Sequence, residues 1–431
     1  MKNMTSNVQR TVVATLLLVA VFIRMAWAAR RGWVSPAGEA KNVAVALAKG
    51  RGFSDAYFVG SGPTAHLMPT TPLLAGFINW LVGPGLASEI ALQVIASIEM
   101  VVGFLLLYKL FERLDVALFA RLAGLAILCL LPAFLGQESL DFRYWEGGLA
   151  VILATSCLIL IVDLDRQQQQ PNRRQILALS LLFAITFFVS PSLGLGIGAC
   201  ALLLLFRKPT WHGRVAMGAA AAGMLLILLA PWVIRNDQTL GKPILLRSNM
   251  PLELALANND RQYESASKQA FDGSMSVVHP VASGPGTERV TQIGEVAYMA
   301  ELSQANDAWI ARHPNRFAML SVRHLRQMFF PNAFQFEIGS GSFSRVRAAW
   351  YSIVSAFGLC GIVIGIRRRR PEYTYLALVI AVVAITYLSF QPMARYLYLN
   401  YGLLVFCALG LLSHAITGPW QTVLNKAQPV A

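Results

Sequence analysis

Ten stretches of this chain are each long and apolar enough to be read as membrane crossings: about residues 8–29, 88–110, 117–137, 146–164, 174–190, 191–206, 215–233, 346–366, 373–390 and 396–415. A helix needs roughly 20 residues to traverse the hydrocarbon layer. The sixth stretch is short for a crossing, so residues 174–206, joined at Ser190, Pro191 and Ser192, are also open to being one broken or re-entrant unit. Composition agrees with a membrane chain, since 56% of residues are hydrophobic and 13% charged, with a mean hydropathy of +0.54. That is too apolar for a soluble globular protein. The expected fold class is all-α integral membrane, a helical bundle of about ten spans.

Lysine and arginine placement sets the expected orientation, because short cytoplasmic loops carry the positive charge. With the N-terminus inside, Arg10, Lys109, Arg113, Arg121, Arg166, Arg173, Arg174, Arg207, Arg214 and Arg367 to Arg370 all fall in inner segments. The net charge of +14 is then a topology signal. Nucleic acid is not expected as a partner, since the basic residues are dispersed over loops and form no single aromatic-lined face. The first apolar stretch contains Arg24 and lacks a small-residue cleavage site, so it is expected to remain as a span.

The outer side then receives the loop 30–87, the short loop 137–146 and a polar region 235–345. The chain divides accordingly into an N-terminal transmembrane module (1–234), an outer cap (235–345), and C-terminal transmembrane helices with a short cytoplasmic tail (346–431). Trp309, Ile310, Phe317, Leu320, Leu325 and Phe329 recur at helical intervals in the cap and predict a helix lying against the membrane. Residues 265–289, rich in Ser and Gly with Pro280 and Pro285, read as a mobile loop. Cys129, Cys157, Cys200, Cys360 and Cys407 lie inside apolar stretches without ligand-like spacing and are expected to pack. Phosphate-loop, dinucleotide-binding and HExxH motifs are absent from the sequence.

In the first outer loop, Pro36 to Glu39 precede Ala40, Val43, Ala44 and Leu47 on one helical face, which predicts an interfacial helix with Glu39 in its first turn. Gly50 and Gly52 end it, and residues 73–82 form a second apolar piece too short to span, a half-inserted helix. Glu39 is thus a carboxylate at a membrane surface. The helix dipole alone favours an acid there without any catalysis. In the second outer loop, Glu138, Asp141, Arg143 and Glu146 form a dense polar cluster. Ordinary surface pairs such as Asp141–Arg143 or Arg143–Glu146 compete with a role in binding. Within the spans, Arg24 and Glu99 are costly enough to suggest mutual pairing. His66, His279, His313 and His324 show no ligand spacing and read as structural or solvated.

These residues resemble the GT-C superfamily of membrane glycosyltransferases, in particular the group of family 39 protein mannosyltransferases and aminoarabinose transferases. The features carrying the resemblance are Glu39, residues 46–53 (ALAKGRGF), residues 63–72 (PTAHLMPTTP), residues 231–236 (PWVIRN), residues 241–249 (GKPILLRSN) with Asn258 and Asn259, residues 294–298 (GEVAY), and Arg395–Tyr396. The pattern departs from its relatives at Thr70 and Thr71, where a proline–tyrosine pair is usual, and in lacking a second acid beside Glu39. The resemblance implies a GT-C bundle with outer interfacial helices in a bacterial inner membrane. It further implies transfer of a sugar from a polyprenyl-phosphate donor to a lipid, glycan or protein acceptor at the periplasmic face, with inversion at the anomeric carbon. On that reading Glu39 is the candidate general base, Asp141 and Glu146 are candidates for holding the acceptor or a divalent cation, and Arg395, then Arg247, are candidates for the donor phosphate. A lipid or solute transporter and a non-catalytic scaffold of an envelope-polysaccharide assembly are the alternatives in other classes.

Overall fold

The computed structural model describes residues 6–426 apart from 34, 36–37, 168–170, 208–210 and 337–342. Pro36 of the first-loop motif and the extreme tail lie outside the described residues. Eighteen α-helices appear in chain order among those described. The first six are α1 (Ser6–Arg30), α2 (Glu39–Ala48), α3 (Thr70–Val82), α4 (Leu86–Arg113), α5 (Leu118–Leu130) and α6 (Leu135–Ser139). After these come α7 (Gly147–Arg166), α8 (Arg173–Val189), α9 (Pro191–Arg207) and α10 (Trp211–Leu240). The polar region folds as α11 (Met250–Ala257), α12 (Asp260–Glu264), α13 (Lys268–Val278), α14 (Pro285–Arg312) and α15 (Pro314–Gln327). The chain then ends in α16 (Ser344–Arg367), α17 (Glu372–Thr386) and α18 (Ala394–Lys426).

The apolar stretches are mainly helical, with non-helical breaks at 131–134 and 387–390, and helix is how a backbone in lipid satisfies its own polar groups. Six of the helices are long and apolar enough to cross a membrane unaided, while α9 and α17 are apolar but shorter. This is a multi-pass membrane protein. Helix α5 and the piece that follows it are bent by 65° to one another, so the connector 131–146 breaks the course of the third apolar stretch. Helices α8 and α9 pack side by side across the break at Ser190, with the α9 backbone at Gly194 against Phe187.

Close packing in the bundle rests on small residues. A Cβ at Gly361 would lie 2.3 Å from the Cys407 carbonyl oxygen, and one at Gly358 would lie 2.7 Å from that of Leu404, so α16 sits directly on α18. Arg24 has no solvent exposure, and its partner is Glu138, 2.8 Å away, rather than Glu99. Its guanidinium also donates to the carbonyls of Leu128 and Cys129 at 2.9 and 2.6 Å. Those are orphan acceptors at the end of α5. Glu99 instead lies against Gly148.

Above the bundle, α2, α11 and α14 share a second apolar core containing Val43, Ala44, Tyr57, Leu252, Val290 and Tyr298. Helix α2 is therefore covered by protein, with Ala40, Val43, Ala44 and Ala46 all buried. Helix α3 packs on it through Ala75 and Gly76 and turns Leu73, Phe77, Trp80 and Leu81 outward, as a half-inserted helix requires. Residues 265–289 are not a loop. Ser267 caps α13 by accepting from Ala270 N, and Pro285 opens α14. The small residues that suggested mobility are packing sites, since a Cβ at Gly284 would lie 2.1 Å from the Ser276 carbonyl and one at Gly286 2.4 Å from that of Val278.

Candidate functional site

Glu39 is the first residue of α2, half-buried beneath the cap. Two histidines that looked isolated in the sequence converge on it. His279 Nε2 is 3.1 Å from Glu39 Oε1, and His66 Nε2 is 3.9 Å from the same oxygen. The two imidazole rings lie 6.2 Å apart. Tyr57 shares a hydrogen bond with His66 Nδ1 at 3.1 Å. Burial favours a raised carboxyl pKa at Glu39, but the hydrogen bond from His279 and the nearby His279, His66 and Arg395 outweigh it. The carboxyl is held well below the usual range. Burial also pulls the His66 ring down to about 3, keeping it neutral.

Motif residues build the frame of this site. Gly294, at φ 80°, breaks α14 and presents Glu295 to the proline-rich run. The Glu295 carboxylate accepts from Ala65 N at 2.9 Å and from Ser248 Oγ at 2.6 Å, as well as from Thr64 Oγ1. Arg235 donates to the carbonyls of Phe53 and Thr64 at 2.6 and 2.7 Å. Asn258 donates to Ser389 O at 2.7 Å, joining the cap to the approach of α18. These residues hold His66 in place through the backbone that carries it.

Glu39, His66 and His279 offer donor atoms within 4.8 Å of one another, and two imidazoles with a carboxylate suit zinc by type. The tautomer of His279 opposes that use. Its Nδ1 accepts a hydrogen bond from Val281 N at 3.2 Å, so a neutral ring carries its hydrogen on Nε2, where it points to Glu39. The residues form a hydrogen-bonded carboxylate–imidazole pair, and this arrangement does not fit a cation held through Nε2 of His279.

A second half of the site lies on the other side of Arg395. Its guanidinium stacks over Trp145 at 4.1 Å and donates to the Tyr396 hydroxyl at 3.1 Å, while Tyr387 stacks on Tyr396 at 4.2 Å. Arg247 donates to Glu146 Oε1 at 2.6 Å, so the expected alternative of an Arg143–Glu146 pair does not form. Arg143 is buried and binds Glu89 at 2.8 Å. Arg247, Glu146, Asn249, Glu253 and Tyr396 line a chamber of about 350 Å³. Through Leu195 and Thr386 the chamber meets a larger apolar cavity of about 580 Å³ walled by α8, α9, α10 and α17. Asp141, half-buried, has its carboxyl pushed up to about 6 by burial, against the pull of Arg395 and with the help of Glu39.

Glu39, Asp141, Glu146, Arg247 and Arg395 therefore gather at one end of the bundle. His66, His279 and Glu253 belong with them and were not selected from sequence. His66 stands inside the proline-rich run, which was a usable signal. His279 had none, since its partner Glu39 is far away in the chain.

No protein-family model and no curated protein matches the sequence. Solved structures do match. The apo oligosaccharyltransferase of Archaeoglobus fulgidus aligns over 99% of this chain and 53% of its own, with a TM-score of 0.56 and 14% identity. The archaeal oligosaccharyltransferase AglB from the same organism, in complex with an inhibitory peptide and a dolichol-phosphate, aligns over 98% and 52%, with a TM-score of 0.54 and 13% identity. ArnT from Cupriavidus metallidurans, bound to undecaprenyl phosphate, aligns over 96% and 80% at 13% identity, but with a TM-score of 0.34, below the level at which a common fold follows. The chain spans about half the length of the oligosaccharyltransferases it matches. It has the helical membrane fold of these oligosaccharyltransferases.

Proposed function

We propose that the protein is a glycosyltransferase that moves a sugar from a polyprenyl-phosphate donor to an acceptor hydroxyl at the outer, periplasmic face of a bacterial inner membrane. The observation that carries this reading is the junction of a charged chamber with an apolar cavity inside the bundle. An amphiphile with an anionic head and a long hydrocarbon tail is the ligand such a junction suits. On this reading the tail runs along α8, α9, α10 and α17, and the donor phosphate meets Arg395 and Arg247, whose forked donors match phosphate oxygens. Glu146 holds Arg247 in place until the donor arrives. The cap, residues 235–345, closes over the head group, and the helices before and after it act as one membrane unit.

Glu39 is the proposed base. Both histidine contacts are to Oε1, so Oε2 is left for the acceptor hydroxyl. A carboxylate with a depressed pKa is a weak base, yet glycosyl transfer passes through an oxocarbenium-like state. The acceptor becomes acidic only as its bond to the sugar forms, and a weak base then suffices. A second reading is favoured by the raised carboxyl of Asp141, which would take the proton while Glu39 orients the acceptor. A divalent cation has no step in either reading.

The test is sugar transfer in proteoliposomes supplied with a panel of polyprenyl-phosphate sugars and membrane-extract acceptors. Turnover by the wild type that falls about 10²–10⁴-fold in folded Glu39→Gln, the usual worth of a general base, supports the reading. Turnover undiminished in Glu39→Gln removes Glu39 from the chemistry, and no turnover with any donor would favour transport or scaffolding.

A further inference from the structure

Helix α2 has two sides, and only the one that carries Glu39 is used above. Glu39 faces the reaction centre, whereas Lys41 and Val45, on the opposite side of the helix, line a cavity of about 520 Å³ together with Trp33, Asn79, Ser88, Glu89 and Tyr144. The walls come from α2, from the end of α3 and from the start of α4. The rim includes Leu86, 59% exposed, and α3, which contributes Asn79, is the half-inserted helix. The cavity thus opens at the level where lipid head groups lie.

Its polar groups are unbalanced in one direction. Glu89 is the only acid lining the cavity among the described residues, and it is shared by two cations, Lys41 at 2.7 Å and Arg143 at 2.8 Å. Its Oε1 also accepts from the Tyr144 hydroxyl at 3.0 Å. One positive charge is left over. Two buried donors nearby are unfilled as well. Asn79, 1% exposed, lies beside the Tyr144 hydroxyl, yet its Nδ2 completes no hydrogen bond, and neither does Nη2 of Arg143. Lys41 uses two of its three hydrogens, on Glu89 and on Ser35 O at 3.1 Å. Buried donors without acceptors are costly, so a group that offers only acceptors and a negative charge would be bound with gain.

We infer that this cavity is a binding site for the phosphate of an anionic phospholipid, separate from the donor chamber and independent of whether the protein transfers sugar. Asn79 and Lys41 supply the donors, Trp33 and Tyr144 the interfacial rings, and the α3–α4 rim receives the first methylenes of the acyl chains.

The test uses the full chain in phosphatidylcholine nanodiscs with fluorescent phosphatidylglycerol as the probe. Saturable binding is expected, displaced by unlabelled phosphatidylglycerol but not by added phosphatidylcholine, and Asn79→Leu is expected to weaken it about tenfold, the worth of one hydrogen bond to a charged group. Because Asn79→Leu removes an unsatisfied amide, its thermal stability in phosphatidylcholine should hold or rise, whereas a merely structural asparagine would lose stability. Val45→Trp, which fills the cavity from α2, should abolish saturation and stands in should Asn79→Leu fail to fold. The inference is overturned if binding does not saturate, if phosphatidylcholine or inorganic phosphate displaces the probe equally well, or if both variants bind as the wild type does. Displacement by undecaprenyl phosphate in preference to phosphatidylglycerol would make the cavity part of the donor path and would equally overturn it.

Discussion

Asp141 and Glu39 are two carboxylates in one site whose environments push them apart. The imidazole of His279 keeps Glu39 ionised at any working pH, while burial leaves Asp141 titrating near 6. The pH dependence of kcat/KM therefore separates the two assignments. With Glu39 as base, the expected profile is flat from pH 8 to about 5, because its carboxyl stays deprotonated throughout. An acid limb near 6 that disappears in Asp141→Asn would instead give the proton to Asp141, since only the ionised form accepts. The hydrogen bond from Val281 N to His279 carries a second prediction. Dialysis against a chelator should leave transfer unchanged, and elemental analysis should find less than one zinc per chain; loss of activity restored by zinc would show that the ring turns over to ligate. At this scale the sequence exposed acids and arginines near the right boundaries, because charges beside apolar runs stand out. It hid His279, which nothing local marks, while His66 was marked only by its place in the proline-rich run. His66 and His279 are 213 positions apart, and only the fold of the cap brings both to Glu39.

The helices themselves were legible because each apolar run is long enough to enforce its own hydrogen bonding in lipid. Pairings between them were not. Arg24 and Glu99 were natural partners by depth, yet Arg24 spends its donors on Glu138 and on the last carbonyls of α5, a solution visible only once the connector 131–146 folds back. This buried pair ties the connector to α1. Removing a single member leaves an uncompensated buried charge, so Arg24→Met or Glu138→Gln alone should cost about 3–5 kcal/mol, and the double variant distinctly less than the sum. Thermal unfolding in detergent measures it, and additive losses would show that the two side chains do not act as a pair. Residues 265–289 failed for a different reason. Ser and Gly are turn formers in isolation, but here Ser267 caps a helix and Gly284 and Gly286 admit neighbouring backbone at distances that a side chain would forbid.

On the scale of the whole molecule, charge is segregated between two ends of one bundle. At the end away from the cap, Arg166 binds Glu372 at 2.6 Å and Asp115 at 3.0 Å, Arg370 binds Asp115 at 3.2 Å, and Arg207 binds Asp165 at 2.8 Å. Arginines outnumber the acids they pair with there, since Arg367 ends α16, Arg368 and Arg369 follow it, and Arg173 and Arg174 open α8. The cap end holds the gathered site instead. If short basic loops remain in the cytoplasm, the cap and both candidate cavities face outward, where a lipid-linked donor carried across the membrane would present its head group. Single cysteines introduced into a chain lacking its native ones test this directly. Ser283→Cys, exposed in the cap, should react with a membrane-impermeant maleimide on intact cells, whereas Arg369→Cys, exposed at the opposite end, should react only after the membrane is opened. The reverse pattern would put the site on the cytoplasmic side and require a donor that never crosses the bilayer.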